Sequence, residues 1–338
     1  MELRAERVSL PLREPLATAW GELTTRELVR VRLTGDDGVT GRGEAAPLEP
    51  YDGVPLVVVE EALVVYAEVL REAAPGTPGP ALLDACRAVA DIPQAIAAID
   101  LALWDRAGRR QGRRVADLLT DDPPATVPVN ATLGALDRSG AFAQTVAAIE
   151  AGFTCVKVKV GVGDDAARLA AVRAAGGPAL TIRLDANGAW TVEQAVQAIQ
   201  ALVPVGLELV EEPVHGIAGL RAVREQVATR ISMDETAGDA GALTASVADA
   251  VCLKVSRCGG LSSLLAQAAL VRATGADVYL ASSYDGPLGV AAAVHAAAAL
   301  RVDLPCGLAT LSAFDVAPPA SLAVRDGRIA VPSGPGLL

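Results

Sequence analysis

Three lysines stand apart in a chain whose other 26 basic residues are arginine: Lys157, Lys159 and Lys254. Base composition of the genome accounts for the arginine excess, but not for where the lysines fall. Arginine cannot lose its proton in a protein, whereas a crowded or desolvated lysine can act as a base. Lys157 and Lys159 lie two apart in the short apolar run Cys155–Val160, which reads as a strand, so both point to one face. Carboxylates close the next three runs: Asp185 in Leu184-Asp-Ala-Asn187, Glu211 in Val210-Glu-Glu-Pro213 and Asp234 in Met233-Asp-Glu235. Lys254 closes the run after those. From Lys159 onward the steps are 26, 26, 23 and 20 residues, close to one strand-plus-helix unit each.

A charge at the end of an apolar strand is ordinarily just solvated. Six in successive units, two of them lysines sharing a face, call for another explanation. Three carboxylates converging without a counter-ion repel one another and raise each other's pKa. A divalent cation resolves this, and an all-oxygen set suits Mg²⁺ or Mn²⁺ rather than zinc. Lysines beside such a cation, and beside each other, are expected to give up their protons readily. The chemistry that needs this set is removal of a proton next to a carboxylate. That proton is very weakly acidic, so charge must be stabilised as it develops while a lysine takes the proton.

The elements that position these residues are regular. Strands are expected at Thr126–Ala131, Cys155–Val160, Leu180–Asp185, Leu207–Glu211, Ile231–Asp234, Ala250–Lys254 and Val278–Ser282. Ala-rich helices are expected between them, at Asp164–Ala175, Thr191–Leu202, Leu220–Ala228, Leu261–Ala273 and Gly289–Leu300. Such alternation of apolar strands with helices predicts a parallel sheet. Seven or eight units fit a closed (β/α) barrel, whose chemistry sits at the C-terminal ends of its strands. The alternative is an open doubly wound sheet, but no GxGxxG loop opens its first helix. Residues 1–124 read differently, as α+β. Strands are expected at Val8–Leu10, Leu28–Leu33 and Val39–Glu44, with a tight turn at Gly35–Gly38. Helices are expected over about 57–72 and 93–108, with a loop at Ala74–Pro80 and a boundary at Asp121–Pro124.

The 338 residues carry a net charge of −11, which excludes a binder of phosphate backbones. Mean hydropathy is positive, +0.36, yet the longest apolar run, around Val290–Leu300, is about half what a spanning helix needs, and His295 interrupts it. No membrane and no nucleic-acid partner is therefore expected. Met1–Arg7 has acidic residues and no apolar stretch, so no signal peptide is expected. The five cysteines are an odd number without close pairs, which fits reduced thiols in a cytoplasm. Cys155 and Cys252 read as small core hydrophobes, and His295 as a packed or partly exposed helix residue rather than a base.

On these motifs the sequence resembles the enolase superfamily, in its muconate-lactonizing-enzyme-like branch. The resemblance implies a modified (β/α)7β TIM-like barrel over residues 125–310. It also implies an α+β capping domain over 1–124, to which 311–338 returns. It further implies Mg²⁺ held by Asp185, Glu211 and Asp234, with Lys159 and Lys254 as acid/base groups on opposite faces and Lys157 tuning Lys159. The substrate implied is a small-molecule carboxylate. Trp20, Asn187, Arg257, Ser282, Ser283 and Asp285 are the candidate substrate-binding residues, and Tyr51–Gly53 is a second cap segment that could close the site. Related enzymes are often oligomeric, which leaves a homo-oligomer open.

Within the superfamily, Ser282–Gly289, Leu304–Thr310, Val127–Thr132 and Asp326–Val331 resemble segments of o-succinylbenzoate synthases of the menaquinone pathway. Dipeptide epimerases carry Asp-x-Asp near the eighth strand, and Val302-Asp-Leu-Pro305 lacks the second aspartate. The usual glutamate of muconate cycloisomerases is also absent, with Asp285 nearby instead. The Lys254–Arg257 spacing resembles enzymes that racemise N-succinylamino acids. The expected reaction is the synthase's syn dehydration, and racemisation is the alternative. A non-catalytic carboxylate-binding barrel fits the three lysines poorly.

Overall fold

The computed structural model describes residues 1–18, 21–134 and 137–338. Trp20 lies outside them. The cap opens with three antiparallel strands, β1 (Glu2–Thr18), β2 (Gly21–Thr34) and β3 (Thr40–Ala45), in that order across the sheet. The turn between β2 and β3 is closed by a bond from Gly38 N to Gly35 O at 2.9 Å, with Gly38 at φ +74°. β1 is much longer than the expected Val8–Leu10, because β2 offers it partners from Glu2↔Thr34 onward, interrupted only by an irregularity between Pro11 and Leu16.

Five helices follow: α1 (Glu49–Asp52), α2 (Leu56–Glu72), α3 (Gly79–Val89), α4 (Pro93–Gln111) and α5 (Val115–Leu119). Helix α3 was not expected after the Pro/Gly-rich loop. It starts inside that loop because Pro80 stands in the first turn, where a missing N–H breaks no helical bond. Leu82, Leu83 and Cys86 give it a buried face. Helix α4 is buried from Gln94 to Ala102 and lies directly on β3. A Cβ on Gly41 or Gly43 would overlap the Ala102 or Ala98 carbonyl, so only glycine allows this approach.

The barrel is built from β4 (Thr126–Pro128), β5 (Ala131–Leu133), α6 (Arg138–Glu150), β6 (Cys155–Lys159), α7 (Asp165–Gly176), β7 (Thr181–Asp185), α8 (Val192–Leu202), β8 (Leu207–Glu211), α9 (Ile217–Arg224) and β9 (Arg230–Met233). It continues through β10 (Ala250–Leu253), α10 (Val255–Cys258), α11 (Leu261–Ala273), β11 (Asp277–Leu280) and α12 (Pro287–Ala299). Strands β5 to β11 form one parallel sheet in sequence order. Cys306 and Gly307 close it, bridging to Val129 on one side and Ala281 on the other. This is the modified TIM-like barrel under a separate cap.

Three details depart from the expectation. The run Thr126–Ala131 is not one strand: β4 pairs antiparallel with β13 (Arg328–Ala330), which also pairs β12 (Val324–Arg325), and only β5 enters the barrel. Helix α9 is displaced toward the N-terminus and ends at Arg224. Between β9 and β10 short 3₁₀ turns at Glu235–Gly238 and Ala242–Thr244 stand where other units have an α-helix.

Helix α12 explains the positive hydropathy: it is buried from Leu288 through Ala298, on every side. His295 is fully buried there. Its Nδ1 accepts from Ala116 N and its Nε2 donates to Leu337 O, both at 3.1 Å. The chain end also bonds Val115 and Asp105 of the cap side, and Asp315 N donates to Pro11 O of β1. Among the described residues no helix is long and apolar enough to cross a membrane. All five cysteines are buried and unpaired.

Candidate active site

Strand register sets the site. Lys159 lies opposite Asp185 and Asp185 opposite Glu211, so one row of charge crosses β6, β7 and β8 at their C-terminal ends. Lys157 lies one layer deeper on the same face, opposite Arg183. Lys254 follows β10. β6 and β10 are the second and sixth of the seven parallel barrel strands, which the Cys306–Gly307 segment closes, so Lys159 and Lys254 approach the mouth from opposite walls.

The side chains meet. Lys157 Nζ donates to Asp185 Oδ2 and Glu211 Oε1, both at 2.9 Å, and Lys159 Nζ donates to Asp185 Oδ2 at 2.8 Å and to Asn187 Oδ1. Across the mouth Lys254 Nζ pairs with Asp234 Oδ1 and donates to Tyr51 OH at 2.7 Å. Tyr51, on α1 of the cap, donates to Asp234 Oδ1 at 2.9 Å and accepts from Arg257 Nη1 at 3.0 Å. Arg257 also donates to the Glu235 carbonyl, and both Lys254 and Arg257 lie against the Tyr51 ring.

Two backbone positions are strained to hold this geometry. Asn187 sits at φ +45°, which lets its own N–H cap Asp185 Oδ1 at 3.0 Å while its side-chain amide donates to Glu235. Glu212 sits at φ +38°, and its buried carboxylate receives Asp234 N at 2.8 Å, Thr236 N at 3.0 Å and the Thr236 hydroxyl. Those bonds fix the turn after β9 and repay the strain. His215 bonds the same carboxylate from the exposed side.

Burial opposes charge on Lys157, Lys254, Asp185, Glu211, Asp234 and Glu235, and the charged partners outweigh it at some of these and not at others. For Lys157, burial is outweighed by Asp185 and Glu211, which hold the ammonium well above its ordinary value; for Lys254, Asp234 does the same. In both cases the carboxylates face the amines directly. Asp185 is held well below the carboxylate range by Lys157 and Lys159 despite burial, and Asp234 is held down by Lys254. Glu211 is pushed up, since burial there outweighs Lys157. Burial, with the charge of Asp234 beside it, pushes Glu235 up to about 8.

The carboxylate set suits a hard divalent cation. Glu211 and Asp234 offer oxygens within 4.8 Å of each other, and Asp185 shares the Lys157 ammonium with Glu211. Cys252 Sγ falls in the same group, but burial keeps its thiol protonated, so the anionic donors are all oxygen.

Of the residues singled out from the sequence, Lys157, Lys159, Asp185, Asn187, Glu211, Asp234, Lys254 and Arg257 are brought into this one network. Ser282, Ser283 and Asp285 hydrogen-bond outside it. Ser282 Oγ meets Thr310 Oγ1 at 2.7 Å, and Asp285 accepts from Ser283 N at 3.3 Å, buried beside Arg26 and Glu44 of the cap. Tyr279 escaped sequence reasoning. Its phenol donates to Glu211 Oε2 at 2.7 Å from a strand that reads as plain apolar core. Its place opposite Cys252, two residues before Lys254, is the signal that could have revealed it.

Comparison with known proteins agrees with this architecture. Residues 141–337 match the enolase C-terminal domain-like family, and residues 1–120 match the mandelate racemase/muconate lactonizing enzyme N-terminal domain. The chain belongs to the enolase superfamily. Within that superfamily it is 32% identical over 319 residues to the L-Ala-D/L-Glu epimerase of Bacillus subtilis (strain 168), spanning 89% of this chain and 85% of the epimerase. It is 41% identical to the o-succinylbenzoate synthase of Thermobifida fusca (strain YX), over 197 residues covering 55% of this chain and 60% of the synthase. The dipeptide epimerase of Enterococcus faecalis V583, solved with Mg and the dipeptide L-Leu-L-Tyr, superposes with a TM-score of 0.92 at 27% identity, over 99% of this chain and 98% of that one. This superfamily member is thus similar over its full length to epimerases, and more closely over part of its length to a synthase.

Proposed function

We propose that this chain removes the proton α to a substrate carboxylate, with Asp185, Glu211 and Asp234 holding Mg²⁺ and with Lys159 and Lys254 as the catalytic acid/base residues. The observation that carries this reading is the pair of lysines on opposite walls of a mouth lined by three buried carboxylates. When bound, Mg²⁺ supplies positive charge beside the substrate carboxylate, where negative charge develops. Lys159 Nζ takes the α-proton, while Asn187 and Asp185 orient that amine. Lys254, clamped by Asp234 and Tyr51, presents a second ammonium to the opposite side.

Among reactions that begin this way we assign dehydration of 2-succinyl-6-hydroxy-2,4-cyclohexadiene-1-carboxylate, the o-succinylbenzoate synthase reaction. Lys159 removes the α-proton, the C–H electrons form the new ring double bond, and hydroxide leaves the neighbouring carbon, taking the proton back from Lys159 as water. The closing segment of the barrel, Cys306–Thr310, is neutral, and Asp303 is exposed. A substrate with a free α-ammonium group therefore finds no carboxylate there, whereas a succinyl group needs none. The higher identity to a synthase lies in the part of the chain that matches it.

A second reading, racemisation or epimerisation at the α-carbon, is favoured by the full-length likeness to epimerases and by the second lysine. The deciding experiment offers purified protein the cyclohexadiene substrate with Mg²⁺ and with EDTA. Fast, Mg²⁺-dependent loss of substrate is expected. No turnover, together with deuterium exchange into N-succinylamino acids or dipeptides in D₂O, would replace the synthase with the second reading.

A further inference from the structure

Glu211 is fully buried, and both of its oxygens are engaged, by partners of different kind. Oε1 accepts Lys157 Nζ at 2.9 Å, an ammonium shared with Asp185. Oε2 accepts the Tyr279 phenol at 2.7 Å. That phenol is held by its surroundings. Its ring is buried in β11, and Arg183 lies 5.1 Å from the ring centroid. Arg183 is itself anchored to Glu208 and to the Pro305 carbonyl on the far side of the barrel. Since the phenol proton goes to Glu211, the 2.9 Å contact with Ser232 Oγ is a bond that Ser232 donates, which fixes the hydroxyl a second time.

We infer that Tyr279 restricts Glu211 to a single ligating oxygen and so sets the preference of the site for Mg²⁺ over Ca²⁺. Ca²⁺ takes six to eight oxygens and gains from bidentate carboxylates, whereas Mg²⁺ demands a compact octahedron of single oxygens. With Oε2 held by the phenol, the bidentate mode is closed and the compact one is favoured. Tyr279 is a positioning residue in this account, because it acts through Glu211. The inference rests on the reading of Glu211 as a metal ligand.

The test is calorimetric titration of the metal-free protein with MgCl₂ and with CaCl₂, in the wild type, Tyr279→Phe and Ser232→Ala. In Tyr279→Phe the Mg²⁺ affinity is expected to fall about 10–100-fold, as for other lost outer partners of a ligand, while the Ca²⁺ affinity holds or rises. Ser232→Ala keeps the phenol and is expected to keep the Mg²⁺ preference. Equal loss for both cations in Tyr279→Phe, or the same loss of preference in Ser232→Ala, overturns the inference. A crystal structure of the wild type with Mg²⁺ decides without any variant having to fold: Glu211 is expected to ligate through one oxygen with Tyr279 still on the other, and bidentate ligation overturns it. A wild type that binds neither cation overturns the ligand reading itself, which these other outcomes leave intact.

Discussion

At the barrel mouth Asp185, Glu211 and Asp234 are buried among three lysines whose N–H groups point at carboxylate oxygens. Where the cap meets the barrel, Glu44 of β3 and Asp285 before α12 are buried just as deeply, beside Arg26. The Arg26 guanidinium is spent elsewhere: it donates to the carbonyls of Ala46, Pro47, Ser283 and Tyr284. Arg30, half in solvent, comes only to 3.8 Å from Glu44. Burial is similar in both places, so the cations' hydrogen bonds are what set Asp185 and Asp234 apart from the cap-side pair, while at Glu211 burial still outweighs Lys157. At the mouth Asp185 and Asp234 stay ionised. At the contact, burial pushes Glu44 up to about 7 and Asp285 up to about 6.

The largest expected effects come from removing charge at the mouth. Asp185→Asn deletes a carboxylate that faces both Lys157 and Lys159. Mg²⁺ affinity and turnover are expected to fall by orders of magnitude, read by calorimetry and by initial rates. Glu44→Gln, which also neutralises a buried carboxylate, is expected to leave Mg²⁺ affinity unchanged. Equal losses in the two variants would erase the distinction between the regions.

A smaller and more selective effect is expected at Tyr51. Its hydroxyl bonds Asp234, Lys254 and Arg257 together, and bonds to charged groups contribute about 1.5–3 kcal/mol each. Tyr51→Phe is expected to slow deuterium exchange of the enantiomer that faces Lys254 by roughly tenfold or more, a factor of ten being about 1.4 kcal/mol. Exchange at the Lys159 side is expected to be spared. Uniform slowing of both would make Tyr51 a general packing residue.

The contrast between the two regions also marks what could be read from the sequence. The lysines and carboxylates of the mouth were legible because strand parity and the repeat of one βα unit dictate where each strand-end residue points. Asn187 and Arg257 were singled out by the resemblance, through the Asp-Ala-Asn motif and the Lys254–Arg257 spacing. Tyr279 was not, because a single aromatic in an apolar strand announces nothing until its neighbours in the barrel are known. Glu44, Arg26 and Asp285 were unreadable as a group. They come from β3, β2 and the loop before α12, and only the docking of cap on barrel brings them together. Helix α3 was hidden by prolines that stop helices in most positions and start them in one.

The smallest expected effect concerns stability and pH at the cap–barrel contact. Glu44 points its carboxyl at the first turn of α12: Oε1 accepts Gly289 N at 3.3 Å, and a Cβ at Gly286 would collide with Oε2. The folded chain holds this carboxyl protonated up to about 7, whereas the unfolded chain releases the proton near the ordinary carboxylate value of about 4.3. Between those values the folded state binds more protons, so stability falls as pH rises through the window and levels off above it. Asp285 contributes in the same direction up to about 6. His295 works the other way: burial holds its pKa down to about 4, so unfolding takes up a proton between there and about 6.5, and stability rises across that range. Subtraction separates them. Glu44→Gln fixes the neutral form at one position and leaves His295 untouched, so the difference between variant and wild type is expected to be near zero at pH 4.5. By pH 8 the variant is expected to be more stable by about 1–3 kcal/mol, each unit of pKa shift being worth about 1.4 kcal/mol. Urea denaturation of both proteins across pH 4.5–8 measures it. A flat difference would mean that Glu44 is ionised after all and that the α12 N-terminus, a site of partial positive charge, compensates it as fully as the lysines do at the mouth.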